Sequence, residues 1–117
     1  MLQVFLDMGA NADERFGPNN ETALFLAAKK DKDKVVKVLI EHGADVEALN
    51  MYDPVNGSIS ALMVASFLGH FASKEILVDL GAKVNATDAE GKTAHYWEIE
   101  GSKQKLFGLI YGSRLFT

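Results

Sequence analysis

The chain has 117 residues, of which 48% are apolar and 24% are charged, so it is long enough for one globular domain and no more. It contains no cysteine, which excludes disulfides, thiolate metal sites and a cysteine nucleophile. Its formal net charge of -4 argues against nucleic-acid binding, which requires a basic surface.

The first predicted element is the end of a helix at the start of the sequence. Leu2–Leu6 is mostly apolar, and Gly9 follows where a helix needs a left-handed residue to close its last turn. The segment has no basic leader and contains Asp7, so it is a poor signal peptide, and none of the apolar runs is long enough to span a membrane. With the lack of cysteine, these features favour a cytoplasmic location.

This helix end belongs to a phrase that the chain repeats three times. The pattern is three apolar residues, an acid, a variable residue, glycine and alanine, and its glycines are Gly9, Gly43 and Gly81. The copies read VFLDMGANADER at Val4–Arg15, VLIEHGADVEAL at Val38–Leu49 and ILVDLGAKVNAT at Ile76–Thr87. Each copy predicts the end of a helix followed by an extended loop.

A second phrase precedes two of these copies. It reads TALFLAAKK at Thr22–Lys30 and SALMVASFLGH at Ser60–His70, and both Thr22 and Ser60 are good helix N-caps. From each cap to the glycine of the first phrase is 21 residues. Each unit is therefore predicted to be two short antiparallel helices and a loop. One such pair cannot bury its own apolar face, so the units must stack as a solenoid.

These residues resemble the ankyrin repeat. The match is strongest in VVKVLIEHGADVEA, in Gly69–His70, and in LGAKVNATDAEGKT at Leu80–Thr93. The resemblance implies an all-α fold, an ankyrin-repeat solenoid of stacked antiparallel helix pairs with β-turn fingers. The family's box histidine is replaced by Phe25, Met63 and Tyr96, so we expect apolar packing to replace some of the usual hydrogen bonds.

The predicted domain covers residues 1–117 in four parts. These are a half repeat with its finger (1–21), a repeat with an extended finger (22–59), a repeat (60–92) and a C-terminal capping repeat (93–117) with a closing helix at Lys103–Tyr111. Leu115 and Phe116 would fold back over that helix. The half repeat leaves two interpretations: the chain was cut from a longer array, or Leu2, Phe5 and Leu6 associate with another molecule.

The sequence contains few residues in patterns typical of catalytic or metal-binding sites. His70 fills the family's Gly-His position, which favours a structural role, and His42 precedes a loop glycine, where such residues are usually exposed. His95 and Glu98 have a helical spacing that could hold a metal, but one pair does not define a site. No phosphate-binding loop or nucleophile–base arrangement appears. We therefore predict no enzyme activity, no cofactor and no metal.

The resemblance implies instead a concave surface, formed by fingers and first helices, that binds protein partners. At its variable helix positions lie Lys29 and Lys30 in one unit and Phe67 and Leu68 in the next. Large apolar residues at an exposed position are typical binding anchors. The alternative is that Phe67 or Leu68 covers a neighbouring repeat or the long loop.

The finger of the middle unit, Asn50–Ile59, is about five residues longer than an ordinary one. It contains Met51, Tyr52 and Val55, and loop insertions in repeat proteins often lie on the binding face. The leading hypothesis is a non-catalytic protein-interaction module. The alternatives are a structural spacer or self-assembly unit, or a fragment of a larger protein whose activity lies elsewhere.

Overall fold

A computed structural model describes residues 12–17, 20–53 and 57–111, and for Phe16, Tyr52, Asp53, Ile110 and Tyr111 only the backbone. Within these ranges the elements are β1 (Arg15–Phe16), β2 (Glu21–Thr22), α1 (Ala23–Lys29), α2 (Asp33–Glu41), β3 (Asn50–Asp53), β4 (Gly57–Ile59), α3 (Ala61–Leu68), α4 (Phe71–Asp79) and α5 (Ala94–Tyr111). The predictions made for Leu2, Phe5, Leu6, Val55, Leu115 and Phe116 lie outside the described residues.

Two antiparallel helix pairs, α1 with α2 and α3 with α4, form as predicted. The hydroxyl of Thr22 accepts a hydrogen bond from the Phe25 amide at 3.2 Å, and that of Ser60 accepts one from the Met63 amide at 3.3 Å. Each hydroxyl satisfies an amide that the first turn leaves free, so each helix begins at its predicted cap. Gly43 and Gly81 close α2 and α4 with positive φ.

The core lies around α3. Every residue from Ala61 to Phe67 is buried, because α1 packs on one side of this helix, α5 on the other and α4 beneath it. A helix that is buried on all sides needs neighbours on every side, as in such a stack. The inner helices α1, α3 and α5 therefore form one layer, and the outer helices α2 and α4 form a second.

Hydrogen bonds tie the second unit to the first. His70 Nδ1 lies 3.0 Å from the carbonyl oxygen of Ala28, and because a carbonyl only accepts, the imidazole nitrogen donates. The Ser73 hydroxyl donates to an Asp31 carboxylate oxygen at 2.9 Å. The structural role predicted for His70 is confirmed.

The first two fingers are antiparallel hairpins, β1–β2 and β3–β4, and the third finger is the segment between α4 and α5. Asn50, at the base of the extended finger, is fully buried, and its side-chain oxygen accepts from the Thr22 amide at 2.7 Å. The guanidinium of Arg15 donates to the same oxygen at 3.4 Å and to the carbonyl oxygen of Leu49 at 3.2 Å. One buried amide thus holds the first two fingers together.

Replacing that amide should destabilise the fold. We expect Asn50→Ala to lower the free energy of unfolding by about 1–2 kcal/mol, since the buried Thr22 amide loses its acceptor. Urea denaturation would measure the loss. The matched control is Asn85→Ala, at an exposed finger position, which should change stability by less than about 0.5 kcal/mol. Equal effects of the two substitutions would contradict the role given to Asn50.

The last unit differs from the prediction. In place of a first helix and a separate closing helix at Lys103–Tyr111, α5 runs without interruption from Ala94 to Tyr111. Nine positions after their caps, the first two units carry Asp31 and Gly69, both with positive φ. The third unit carries Ser102 there, a residue that seldom adopts that conformation. Without a left-handed residue the helix continues, so the predicted helix pair in the last unit is wrong.

Candidate functional site

The inner-helix layer presents the lysines of the first unit. Lys29 is half-buried, forms an ion pair with Glu21 at 2.7 Å and places its ammonium 5.7 Å from the centre of the Phe25 ring. Lys30 lies at the exposed C-terminal end of α1. Of the two predicted site lysines, Lys29 therefore has a structural partner, and Lys30 projects from the surface.

In the second unit, Phe67 lies in the core, whereas Leu68 lies partly at the surface. Phe67 is only 9% exposed, and its ring meets Trp97 of α5 edge to face, with ring centres 5.7 Å apart. Assigning Phe67 to an exposed binding surface is therefore corrected, because the ring covers the neighbouring unit. Leu68 is partly buried against the core and keeps an accessible edge.

That edge opens into a groove between α3 and α5, which we call the α3–α5 groove. Its volume is about 600 Å³, and it is lined by Leu68, Gly101, Lys105, Gly108 and Leu109, among others. Gly101 and Gly108 are two turns apart on one side of α5 and have no side chains to fill the space between the helices. The result is a largely apolar channel with one lysine at its edge.

At one end of this groove, the backbone of α5 at Gly101 lies in close contact with the backbone of α3 at Phe67. A Cβ atom on Gly101 would collide with the carbonyl oxygen of Phe67 and lie 2.8 Å from its carbonyl carbon. Only glycine lets α5 approach the end of α3 so closely. Gly101, the counterpart of Leu68 in the second unit, is buried at this contact.

The half of the groove that α5 contributes was not predicted from the sequence. Lys105 and Leu109 had been placed in a separate closing helix, where they would point elsewhere. The signal that could have located them is Ser102, which stands where the other units have a residue suited to positive φ.

The extended finger contributes a second exposed apolar position. Met51 lies on β3 and is exposed. The side chain of Tyr52 and the whole of Val55 lie outside the described residues. Beside this finger, a cleft of about 250 Å³ separates the second and third fingers, with the exposed Leu49 on its wall.

The third finger is hydrogen-bonded to α5. The carboxylate of Asp88 accepts from the Glu90 and Lys92 amides, both at 2.9 Å, and from the Trp97 indole nitrogen at 3.2 Å. The Lys92 ammonium lies 5.5 Å from the centre of the Trp97 ring, and its hydrogen bond to Glu90 raises the pKa of Lys92. Trp97 is buried.

His95 and Glu98, the possible metal-binding pair, do not form a metal site in this structure. Glu98 forms an ion pair with Lys74 at 2.9 Å. Across the described ranges there is no group of three or more histidine or acidic residues that could hold a metal ion. Nor is any helix in the described part of the chain long and apolar enough to cross a membrane.

Comparison with known proteins identifies the repeat. The family model "Ankyrin repeats (3 copies)" matches residues 1–88, which end before α5. Ankyrin repeat and SOCS box protein 6 of Mus musculus is 34% identical over 91 residues, covering 78% of this chain and 21% of the relative.

Two other human proteins also match the chain. Diacylglycerol kinase iota of Homo sapiens is 38% identical over 77 residues, covering 66% of this chain and 7% of the relative. Ankyrin repeat and KH domain-containing protein 1 of Homo sapiens is 37% identical over 94 residues, covering 80% of this chain and 4% of the relative. The chain thus spans about a fifth of the length of the first of these relatives and far less of the other two.

Proposed function

The chain belongs to the ankyrin-repeat family, whose repeats generally act as non-catalytic protein–protein interaction modules, and we propose that this chain binds a protein partner in the α3–α5 groove. The extended finger, through Met51 and the predicted residues Tyr52 and Val55, and the exposed Lys30 form the outer parts of the same proposed surface.

The observation that carries this proposal is the shape and lining of the groove. Leu68 and Leu109 provide apolar walls, and the two glycines leave a volume of about 600 Å³ between them. An aliphatic or aromatic side chain from a partner fits such a space, and burying an anchor of this kind provides most of the affinity of many protein interfaces.

The charges at the surface indicate the chemistry of the partner. Lys105 lies at the edge of the groove, above the end of α3, and Lys30 lies at the end of α1. Neither lysine forms an ion pair with another described residue. A peptide segment that combines an apolar anchor with a neighbouring acidic residue would satisfy both the groove and Lys105.

The test begins with affinity capture from cell extract on the immobilised chain, identification of the captured protein and direct titration with that protein purified. We expect Leu109→Glu to weaken binding about tenfold or more, because it places a charge in the apolar anchor site. Lys105→Ala should weaken binding about threefold and reduce its dependence on salt.

The matched control is Phe71→Glu, which makes the same kind of change at an exposed residue on the outer helix α4. It should leave the dissociation constant unchanged. Loss of binding with Phe71→Glu and retention with Leu109→Glu would place the partner on the outer-helix side and refute the proposal.

A further inference from the structure

The second half of α5 exposes apolar residues whose counterparts earlier in the chain are covered. Counted from the first residue of each unit, Leu106 stands at the position of Val35. Leu109 likewise stands at the position of Val38. Val35 and Val38 pack against the core from α2, whereas Leu106 is 59% exposed and Leu109 is 84% exposed. The second half of α5 thus keeps the apolar pattern of an outer helix while it lies elsewhere.

The outer helix α4 shows the complementary exposure. Val78 of α4 and Val84, just after it, are the counterparts of Ile40 and Val46 one unit earlier. Ile40 and Val46 pack against the core, and α4 contacts α2. Val84, by contrast, is 52% exposed, and Val78 is 37% exposed. An apolar helix segment and an apolar surface are therefore both uncovered in neighbouring units of one chain.

A continuous open surface lies between them. A cleft of about 290 Å³, which we call the outer-helix cleft, is lined by Val78, Val84, His95 and Glu98, among others. A second cleft of about 430 Å³ is lined by His95, Glu98 and Leu106, among others. Because the two clefts share residues, the open surface runs from the valines of the second unit to Leu106. A helix folded back from α5 would lie in this space.

The point at which α5 would have to turn is also its weakest point. Glycine is the least favourable residue in a helix interior after proline, and Gly101 lies there. Ser102, the next residue, is the counterpart of Gly69, which has positive φ at the turn between α3 and α4. A serine adopts positive φ only at a cost. A turn at Ser102 is thus accessible but disfavoured, and it would leave 94–100 as a helix of the same length as α1, 7 residues.

We propose that the last unit has two states and that the α3–α5 groove exists in only one of them. In the straight state described above, Lys105 and Leu109 line the groove. In the folded-back state, α5 turns at Ser102, and residues 103–111 pack beside α4 and cover the outer-helix cleft. A partner in the groove stabilises the straight state, because only that state binds it. This coupling rests on the proposed function, whereas the two states themselves do not.

The first test is Ser102→Gly, which gives the third unit the glycine that the second unit has at its turn. We expect the ratio of folded-back to straight molecules to rise about tenfold over the wild type, because glycine adopts positive φ without the cost that serine incurs. Nuclear magnetic resonance measures this ratio in two ways. Cα chemical shifts of residues 100–103 report the break in the helix, and protection of the Val78 and Val84 methyl groups from a soluble paramagnetic agent reports covering of the cleft.

Two further variants separate folding back from a general weakening of the helix. Gln104→Gly places glycine at an exposed residue that is helical in both states, and should raise the ratio less than about threefold. Adding Leu106→Glu to Ser102→Gly should return the ratio to that of the wild type, because a charged side chain is not buried against α4 without a partner. Leu106 is exposed in the straight state, so this substitution leaves that state intact.

The coupling is tested with the protein captured on the wild-type chain, after its purification. At saturation it should restore the helical Cα shifts of Ser102→Gly and expose the Val78 and Val84 methyl groups again. If Leu109→Glu left binding of that protein unchanged, the groove would be the wrong site for it. The ratio measured for Ser102→Gly without partner would still decide between one state and two, so the two failures are distinguishable.

Three results would overturn the inference. The first is a Ser102→Gly chain that keeps an unbroken α5 and exposed valines. The second is a break in the helix without protection of Val78 and Val84, or one that Leu106→Glu does not reverse, since either would mean that the end of α5 frays and does not fold back. The third is a captured protein that binds in the groove and leaves the ratio unchanged.

Discussion

Gly101→Ala is expected to lower the free energy of unfolding by about 3 kcal/mol, because the added methyl group would overlap the backbone of Phe67. The new Cβ would lie 2.8 Å from the Phe67 carbonyl carbon and 3.1 Å from its Cα. Backbone atoms at the end of a buried helix cannot move away as the tip of a flexible side chain can. To accommodate the methyl group, α5 must separate from α3 and open the core.

The sign of this effect distinguishes packing from helix propensity. In the middle of an exposed helix, alanine is about 1 kcal/mol more favourable than glycine. Urea denaturation should therefore show a loss for Gly101→Ala and a change of less than about 0.5 kcal/mol for Ser102→Ala, at the exposed neighbouring position. A gain in stability for Gly101→Ala would show that α5 does not approach α3 as closely as described.

Trp97→Ala is expected to cost about 3–5 kcal/mol, the range for removing a large buried aromatic side chain. Trp97 fills the space between α5 and the third finger. Its ring contacts Phe67 and Tyr96 edge to face, at 5.7 and 5.4 Å between ring centres, and its indole nitrogen donates to Asp88. A loss of this size is a large part of the stability of a domain of this length.

Two further substitutions separate the contributions at this position. Trp97→Phe keeps most of the apolar contact but removes the hydrogen bond to Asp88, and should cost about 1–2 kcal/mol. Tyr96→Ala removes the exposed neighbour and should cost less than about 1 kcal/mol. If thermal and urea unfolding placed Trp97→Ala within 1 kcal/mol of the wild type, α5 could not be held by the indole as described.

The proposed groove and the exposure of Val84 beside α4 have a common origin in the straight course of α5. Because the helix does not turn at Ser102, Lys105 and Leu109 stay beside α3 and line the partner groove. For the same reason the place beside α4 is left open, and Val84 remains exposed. One residue without a preference for positive φ thus sets the course of α5 and, with it, the groove.

Much of the fold could be predicted because its signals are local and repeated. Thr22 and Ser60 as caps, Gly43 and Gly81 as helix ends, and the spacing between them recur in register, so each copy supports the others. The structural role of His70 followed from its Gly-His position within the repeat. The equal spacing of cap and glycine then required stacking, since a single helix pair cannot bury its apolar face.

The candidate site could be predicted only in part. Met51 and Lys30 are exposed as expected, but Phe67 is buried. Sequence alone left both possibilities open for Phe67, because its exposure depends on the course of α5 and not on its own neighbours. The same is true of Gly101, whose importance comes from the nearby backbone of another helix.

The sequence by itself therefore determined the repeat, its caps, its turns and the family, because each of these depends on residues within about 30 positions of one another along the chain. Only the tertiary structure decided which faces remain open. Whether an apolar residue such as Val84 or Phe67 is covered depends on a helix from the next unit, and the path of that helix is set by packing across α3, α4 and α5. Exposure is a property of the stack, whereas the repeat is a property of the chain.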